Sequence, residues 1–353
     1  MKTEIARIDE MEINTESSRS ALCRAARIIK NGGLVVFPTE TVYGLGADGT
    51  NPVAASKIYA AKGRPSDNPL IIHVSAPEEA DAYAATGKLY YRLAEKFMPG
   101  PLTVVMRAKD SVPKATRGGL DTVAVRCPSN PVARELIRLS GVPVAAPSAN
   151  ISGTPSPTVA SHVIDDMMGR VDMIIDGGEC DIGLESTIVK IEDDESLTLL
   201  RPGKITPDEL SSIAPLKIAA AVTRSLDKGE VALSPGMKYR HYAPASPLVL
   251  LDGDTNPAID YILSEGHSRI GVLCYLDDRE AFALSLPHAD LYVLGERSDE
   301  SEQAHQLFYL LREADKRGYE KIYAPLPSDS GIGLALYNRL IRAAAHTIIN
   351  LRR

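Results

Sequence analysis

Residues 34–74 concentrate groups that can do chemistry. A Pro-Thr-Glu-Thr segment starts at Pro38, three glycines lie within Gly44–Gly49, and Lys62-Gly-Arg-Pro-x-x-Asn follows. The whole stretch begins and ends with apolar, strand-like residues. Hydroxyls, an amide and two cations between strands are typical of loops that carry function on a rigid scaffold. We therefore expect the active site here.

The glycine run Gly44–Gly49 matches the dinucleotide-binding pattern G-x-G-x-x-G letter for letter. In that fold the glycines follow a strand directly and open a helix. Here residues 38–41 separate the run from the preceding strand, and the next helix is predicted only from Pro52. We interpret the run as a glycine-rich turn at which backbone can approach a ligand.

Lys62 and Arg64 form a cationic pair beside two helix-breaking residues. Because Gly63 and Pro65 end the preceding helical pattern, we expect both cations to project from an irregular loop. A guanidinium binds phosphate through a planar fork and an ammonium acts as a point charge, so the pair suits a polyphosphate. A solvated helix C-terminus also favours cations, and the pair alone does not decide between these readings.

A hydroxyl and a guanidinium share one face of the predicted strand Thr122–Arg126. Side chains alternate along a strand, so Thr122, Ala124 and Arg126 point the same way. Such a face can bind a carboxylate or a phosphate, while an internal ion pair is the common alternative. His73, at the end of another predicted strand, is on its own more typical of a structural residue.

Small polar residues follow other predicted strands, at residues 146–158, 185–187 and 201–203. Their hydroxyls could donate to phosphate oxygens, although helix caps and turns use the same residues. The sequence has no Ser-His-Asp order, no H-E-x-x-H and no paired catalytic carboxylates. Thr, Ser, Arg, Lys and Asn position and neutralise phosphates, so the set favours phosphate chemistry without a protein nucleophile.

Whole-chain composition narrows the class of protein. The formal net charge of -7 over 353 residues argues against a broad basic surface for nucleic acid. No apolar run is long enough for a membrane-spanning helix. The four cysteines lack metal-ligand spacing, which indicates reduced thiols and a cytoplasmic protein. They are Cys23, Cys127, Cys180 and Cys274.

The order of β-rich and helical patterns predicts an α/β protein with α+β character in its first domain, residues 1–214. Three predicted strands crowd into residues 102–146, so we expect a twisted mixed sheet with flanking helices. Residues 215–246 are predicted to be a cationic connector. Strands and helices alternate in residues 247–353, which predicts a smaller doubly wound, Rossmann-like domain.

Taken together, these segments resemble the threonylcarbamoyl-AMP synthase family, in its long two-domain form with a YrdC-like catalytic domain. The matching segments occur in the family's order and cover the first domain and the connector. They are FPTETVYGLG (Phe37–Gly46), KGRPSDNPLIIHV (Lys62–Val74), PGPLT (Pro99–Thr103), TVAVR (Thr122–Arg126), APSAN (Ala146–Asn150), ESTI (Glu185–Ile188), LLRPG (Leu199–Gly203) and SPGMKYRHYAP (Ser234–Pro244).

This resemblance implies a nucleotidyltransferase that converts L-threonine, bicarbonate or CO2, and ATP into threonylcarbamoyl-adenylate and pyrophosphate, with Mg2+ accompanying ATP. Downstream tRNA threonylcarbamoyltransferase proteins would move the group onto an adenosine in certain tRNAs. Whether tRNA binds directly stays open. One alternative is a non-catalytic RNA-binding module of the same fold. Another is a carbamoyl-transfer component like that of larger hydrogenase-maturation proteins.

The resemblance also implies roles for individual residues. Threonine would be bound by Thr39, His73, Arg126 and Thr187, with Arg126 on its carboxylate. The nucleotide would be bound by Arg64, Asn68, Thr122, Ser148, Ser156 and Arg201.

Two further roles and one departure complete this expectation. Lys62 and Arg64 would act in catalysis by neutralising the leaving pyrophosphate, and Tyr242 would belong to a lid over the pocket. No residue is implied as a direct metal ligand. Ala146 stands where some members of the family carry a hydroxyl, which removes one threonine contact.

Overall fold

The computed structural model describes residues 2–193, 195–224 and 242–352. It forms two compact units, each described below by itself. Unit 1 comprises Met1–Ser152 and Ser156–Lys238, and unit 2 comprises Gly153–Pro155 and Tyr239–Arg353. The predicted connector, residues 215–246, lies partly outside the described residues, so its fold and its boundaries stay predictions.

Unit 1 is built on one large mixed sheet. Its strands are β1 (Glu4–Arg7), β2 (Val35–Phe37), β3 (Gly44–Asp48), β4 (Ile71–His73), β5 (Leu102–Arg107), β6 (Thr122–Arg126), β7 (Val144–Ala145), β8 (Met173–Asp176), β9 (Thr187–Glu192), β10 (Ser196–Arg201) and β11 (Leu216–Ile218). Their order across the sheet is β1-β8-β2-β3-β7-β4-β6-β5-β9-β10-β11. Parallel and antiparallel pairs are interleaved, which confirms the predicted mixed sheet.

The helices of unit 1 begin largely where the sequence signals them. They are α1 (Glu16–Lys30), α2 (Pro52–Lys62), α3 (Lys88–Phe97), α4 (Pro131–Ser140), α5 (Ala160–Met167) and α6 (Pro207–Ser211). The Asn51 side chain accepts hydrogen bonds from two backbone N–H groups of α2, and the Asn130 side chain accepts one from α4. A proline follows each cap, where its missing N–H costs nothing. Thr206 and Glu209 form a capping box at the start of α6.

One core of unit 1 lies between helices α1 and α4 and the sheet. Leu22 and Ile29 of α1 and Leu136 of α4 are buried in one cluster with residues of β2, β7 and β8, among them Phe37. A smaller cluster lies around Ile71 on β4 and its neighbours on β6, β5 and β9. Burial of these strands fixes their register, because a slip of one residue would turn every side chain to the other face.

The prediction of a glycine-rich turn at Gly44–Gly49 is wrong. Gly44–Asp48 is strand β3, fully buried between β2 and β7. The reason is packing: a Cβ on Gly46 would lie 2.7 Å from Cε1 of Phe37 and 2.8 Å from Cγ1 of Val144. The glycines thus make room for an aromatic ring on the neighbouring strand.

Unit 2 is a small parallel α/β unit. Its strands are β12 (Leu248–Asp252), β13 (Ile270–Cys274), β14 (Asp290–Val293), β15 (Lys321–Pro325) and β16 (Ile348–Asn350), and its helices are α7 (Thr255–Glu265), α8 (Arg279–Ser285), α9 (Glu300–Asp315) and α10 (Gly333–Ala343). The order β14-β13-β15-β12-β16, with every pair parallel, confirms the predicted doubly wound domain. Within the described ranges of both units, no helix is long and apolar enough to cross a membrane.

Candidate active site

A row of buried polar side chains crosses the middle of the unit 1 sheet. His73 on β4 lies opposite Arg126 on β6, and Arg126 lies opposite Thr103 on β5. The Thr103 hydroxyl is 2.8 Å from that of Ser186, to which Arg201 of β10 also donates at 3.1 Å. All five residues are buried. Three predicted site residues, His73, Arg126 and Arg201, are therefore connected through Thr103 and Ser186. Sequence reasoning gave Thr103 and Ser186 no role in the site.

Arg126 lies beside a carboxylate that sequence reasoning also left without a role. Its Nη2 is 2.8 Å from Oε1 of Glu40, and both side chains are 5% exposed. The two groups are joined as an ion pair without a directed hydrogen bond. Nε and Nη2 of Arg126 and both oxygens of Glu40 have no hydrogen-bond partner among the residues that the structure describes. The guanidinium therefore has donors available for a carboxylate ligand.

His73 is held as a neutral acceptor next to this pair. Its Nδ1 lies 3.2 Å from the carbonyl oxygens of Ile71 and Val144, so the bonding assigns the proton to Nδ1 and leaves a lone pair on Nε2. Burial, and secondly the charge of Arg126, lower the pKa of His73 to about 3. A neutral imidazole can accept a hydrogen bond from a hydroxyl or an ammonium group.

This pKa gives a testable dependence of stability on pH. An unfolded histidine takes up a proton below about pH 6.5, whereas buried His73 does not, so stability falls as pH drops from 6.5 towards 3. Between pH 7 and pH 5 we expect this one group to cost about 2 kcal/mol. His73→Gln should flatten the pH dependence of the free energy of unfolding by that amount, measured by denaturant titration. His288→Gln, at an exposed position, is the control, and equal slopes for all three proteins would contradict the prediction.

The hydroxyls of Thr39 and Thr187 hold their own backbone segments. Thr39 Oγ1 donates to the Val42 carbonyl at 2.6 Å and fixes the turn between β2 and β3. Thr187 Oγ1 donates to the Ile205 carbonyl at 2.9 Å and accepts from its N–H at 3.1 Å. Both residues are buried in unit 1. These hydrogen bonds fix the backbone at both residues. Their contacts with threonine remain predictions.

The sequence suggested that Lys62 projects from a loop, and the structure shows that it does not. It is the last residue of α2, is buried, and extends its ammonium group to another segment. Nζ lies 2.5 Å from the Ser148 carbonyl, 2.6 Å from the Asn150 carbonyl and 3.2 Å from Asn150 Oδ1. Helix α2 ends at Lys62 because Gly63 closes it in a left-handed cap. Three donors therefore face three oxygens of segment 148–150.

Arg64 and Asn68 lie together just beyond this helix. Arg64 is half-buried, and its Nη2 donates to the Asn68 carbonyl at 3.4 Å and to the Pro69 carbonyl at 3.2 Å. The Asn68 side chain is buried, and its Oδ1 has no hydrogen-bond partner within the described part of the chain. An orphaned amide oxygen at a predicted nucleotide contact is a feature that a ligand donor would satisfy.

The remaining predicted nucleotide contacts also lie in unit 1. The Ser148 hydroxyl donates to Asn150, and that of Ser156 donates to Glu185 Oε1 at 2.6 Å. Arg201 Nε donates to the Ser186 carbonyl at 3.1 Å. Thr122 is half-buried at the start of β6, on the face of Arg126 as predicted.

Tyr242 belongs to unit 2. Its ring is buried and stacks on Phe308 at 5.1 Å between centroids, and the Arg339 guanidinium carbon lies 5.6 Å from its centre. Residues 234–241 of the matching segment Ser234–Pro244 lie outside the described residues. The lid role of Tyr242 therefore stays a prediction.

The sequence is related to known proteins along nearly its whole length. It is 42% identical over 336 residues to threonylcarbamoyl-AMP synthase of Pyrococcus abyssi, covering 93% of this chain and 95% of that protein. This chain belongs to the threonylcarbamoyl-AMP synthase family. The family model described as "Telomere recombination" matches residues 27–203, and that of the threonylcarbamoyl-AMP synthase C-terminal domain matches residues 205–345. The Bacillus subtilis member is 40% identical over 347 residues, covering 97% of this chain and 96% of its own.

Solved structures extend the family likeness to three dimensions. P. abyssi Sua5 in complex with L-threonine superposes with a TM-score of 0.84 at 40% identity, over 99% of this chain and 98% of that one. A double-alanine variant of the same archaeal protein gives a TM-score of 0.87 at 39% identity, with the same coverage. The fold of the family thus includes both units and the sheet that carries the polar row.

Proposed function

We propose that this protein forms threonylcarbamoyl-adenylate and pyrophosphate from L-threonine, bicarbonate or CO2, and ATP, as a nucleotidyltransferase. The supporting observation is Arg126, a buried guanidinium with unused donors, facing Glu40 and neutral His73. This arrangement suits a small zwitterion, and a 40% identical relative crystallised with L-threonine shares the fold. The product would pass to downstream proteins that modify tRNA.

In this proposal one set of unit 1 residues binds threonine and another binds ATP. Arg126 binds the carboxylate of threonine, and Thr39, His73 and Thr187 surround the rest of the molecule. Arg64, Asn68, Thr122, Ser148, Ser156 and Arg201 bind the nucleotide, and Arg64 neutralises charge on the leaving pyrophosphate. Lys62 acts through segment 148–150, whose oxygens it binds.

Mg2+ enters the proposal as part of the substrate MgATP. No group of three or more His, Cys, Asp or Glu residues placed to bind a metal ion occurs in the described ranges. The donor set around Arg64 and Asn68 is cationic and amide in character, which does not fit a protein-held Mg2+. In this proposal the phosphates of ATP, and not protein side chains, are the ligands of the ion. The free thiols of all four cysteines are consistent with a cytoplasmic location.

Pyrophosphate release tests the proposal directly. Purified protein with ATP, bicarbonate and Mg2+ is expected to release pyrophosphate only when L-threonine is added, and to form a threonine-containing adenylate detectable by mass spectrometry. Release that is equal without an amino acid, or with L-serine, would contradict the assignment. Binding of tRNA without threonine-dependent turnover would instead favour a non-catalytic RNA-binding module.

A further inference from the structure

The buried pair Glu40–Arg126 keeps most of its hydrogen-bonding capacity unused. The two charged groups are 2.8 Å apart and only 5% exposed, yet they make no hydrogen bond with each other. In the described residues, neither oxygen of Glu40 has a hydrogen-bond partner, and neither do Nε and Nη2 of Arg126. Nη2 and Oε1 are thus occupied by the ion pair, whereas Nε of Arg126 and Oε2 of Glu40 are left without a hydrogen-bond partner in the described residues.

Such a pair is costly unless a ligand completes it. Removing two charges from water is repaid only when the remaining lone pairs and protons are satisfied, and native proteins satisfy nearly all buried polar groups. The backbone around Glu40 is nevertheless well ordered: its carbonyl accepts from Ile182 N–H at 2.9 Å, and the Thr39 hydroxyl fixes the turn. The surrounding backbone therefore holds the Glu40 carboxylate beside Arg126, and its oxygens can still accept hydrogen bonds from a ligand.

A ligand that satisfies both groups must carry an anion and a cation a few ångströms apart. An α-amino acid does so, because one carbon separates its carboxylate from its ammonium group. If Arg126 binds the carboxylate of threonine, the adjacent Glu40 carboxylate is within reach of the ammonium group. His73, neutral and hydrogen-bonded through Nδ1, adds no competing charge.

We propose that Glu40 binds the α-ammonium group of the amino-acid substrate and selects α-amino acids over α-hydroxy acids. The inference rests on the proposed function, in which threonine is the substrate. It assigns to Glu40 a substrate contact of its own, separate from that of Arg126. A charge-assisted hydrogen bond in a water-excluded site contributes far more than one at the surface, so this contact carries much of the discrimination.

The test compares L-threonine with the matching 2,3-dihydroxybutanoate, in which a hydroxyl replaces the ammonium group. Binding of each to wild type and to Glu40→Gln is measured by isothermal titration calorimetry. Wild type should prefer threonine by about 30-fold or more, and Glu40→Gln should reduce this preference to about threefold, chiefly through weaker threonine binding. Glu135→Gln, in an exposed Glu–Arg pair of the same unit, should keep the wild-type preference.

Two outcomes would overturn the inference. Equal loss of affinity for both ligands in Glu40→Gln would mean that Glu40 only orients Arg126. Equal binding of both ligands by wild type would exclude ammonium recognition even if the variant does not fold. A different result tests the proposed function itself: wild type would bind no threonine and show no threonine-dependent pyrophosphate release. Neither of the two outcomes above requires that result, so the two failures can be distinguished.

Discussion

Replacing Arg126 by alanine is expected to raise the threonine KM by about 100-fold or more, while the ATP KM stays within about threefold of wild type. The reason is the loss of a buried guanidinium whose free donors would pair with a carboxylate. Each hydrogen bond between charged groups contributes about 1.5–3 kcal/mol, so losing two gives at least this factor. Steady-state pyrophosphate release over a range of threonine concentrations measures it.

The same substitution should also destabilise the fold. Without Arg126, the Glu40 carboxylate is left buried and uncompensated, which costs about 3–5 kcal/mol. The double variant Arg126→Ala/Glu40→Gln should recover most of this stability, because the buried charge is removed, but it should not recover threonine affinity. Chemical denaturation and threonine titration on the same samples separate the two effects.

Arg138→Ala provides the matched control for Arg126→Ala. Arg138 forms an exposed ion pair with Glu135 on α4, and such surface pairs contribute little to stability. Both kinetic constants and the free energy of unfolding should stay close to wild type. An unchanged threonine KM in Arg126→Ala would remove Arg126 from the threonine site.

Much of the fold was predictable because its signals are local. An asparagine cap followed by proline marks the start of α2 and of α4, and both helices begin there. The capping box at Thr206 is equally local. In unit 2, the alternation of apolar strands with helices sufficed for a parallel sheet, although the short helix α8 and edge strand β16 were not predicted.

The parts that were not predicted depend on contacts distant in sequence. The glycines of β3 resemble a turn until Phe37 and Val144 are known to pack over them. Glu40 lies in a segment already recognised as unusual, yet its importance comes from Arg126, on a strand far along the chain. Thr103 likewise joins the candidate site through strand register, and Ser186 joins it through the Thr103 hydroxyl. Local patterns thus indicate the segments of the candidate site, and contacts between distant segments decide which side chains meet.

Lys62 shows the same dependence on distant contacts. Sequence reasoning placed its charge on the polyphosphate, because Gly63 and Pro65 break the helix beside it. In the structure its ammonium group instead binds three oxygens of Ser148 and Asn150. An ammonium group has three donors, so these bonds occupy its normal capacity. In our proposal Lys62 therefore acts on the nucleotide through the position of segment 148–150.

Lys62→Met is accordingly expected to lower kcat/KM for ATP by about 100-fold and to destabilise the protein by about 3 kcal/mol, because three buried oxygens lose their donor. Threonine affinity measured without ATP should change little. Asn150→Ala removes only Oδ1 of these three oxygens, so the double variant Lys62→Met/Asn150→Ala should lose less than the sum of the two single variants. Additive losses in this double-mutant cycle, measured from ATP-dependent pyrophosphate release, would instead support a direct contact of Lys62 with the polyphosphate.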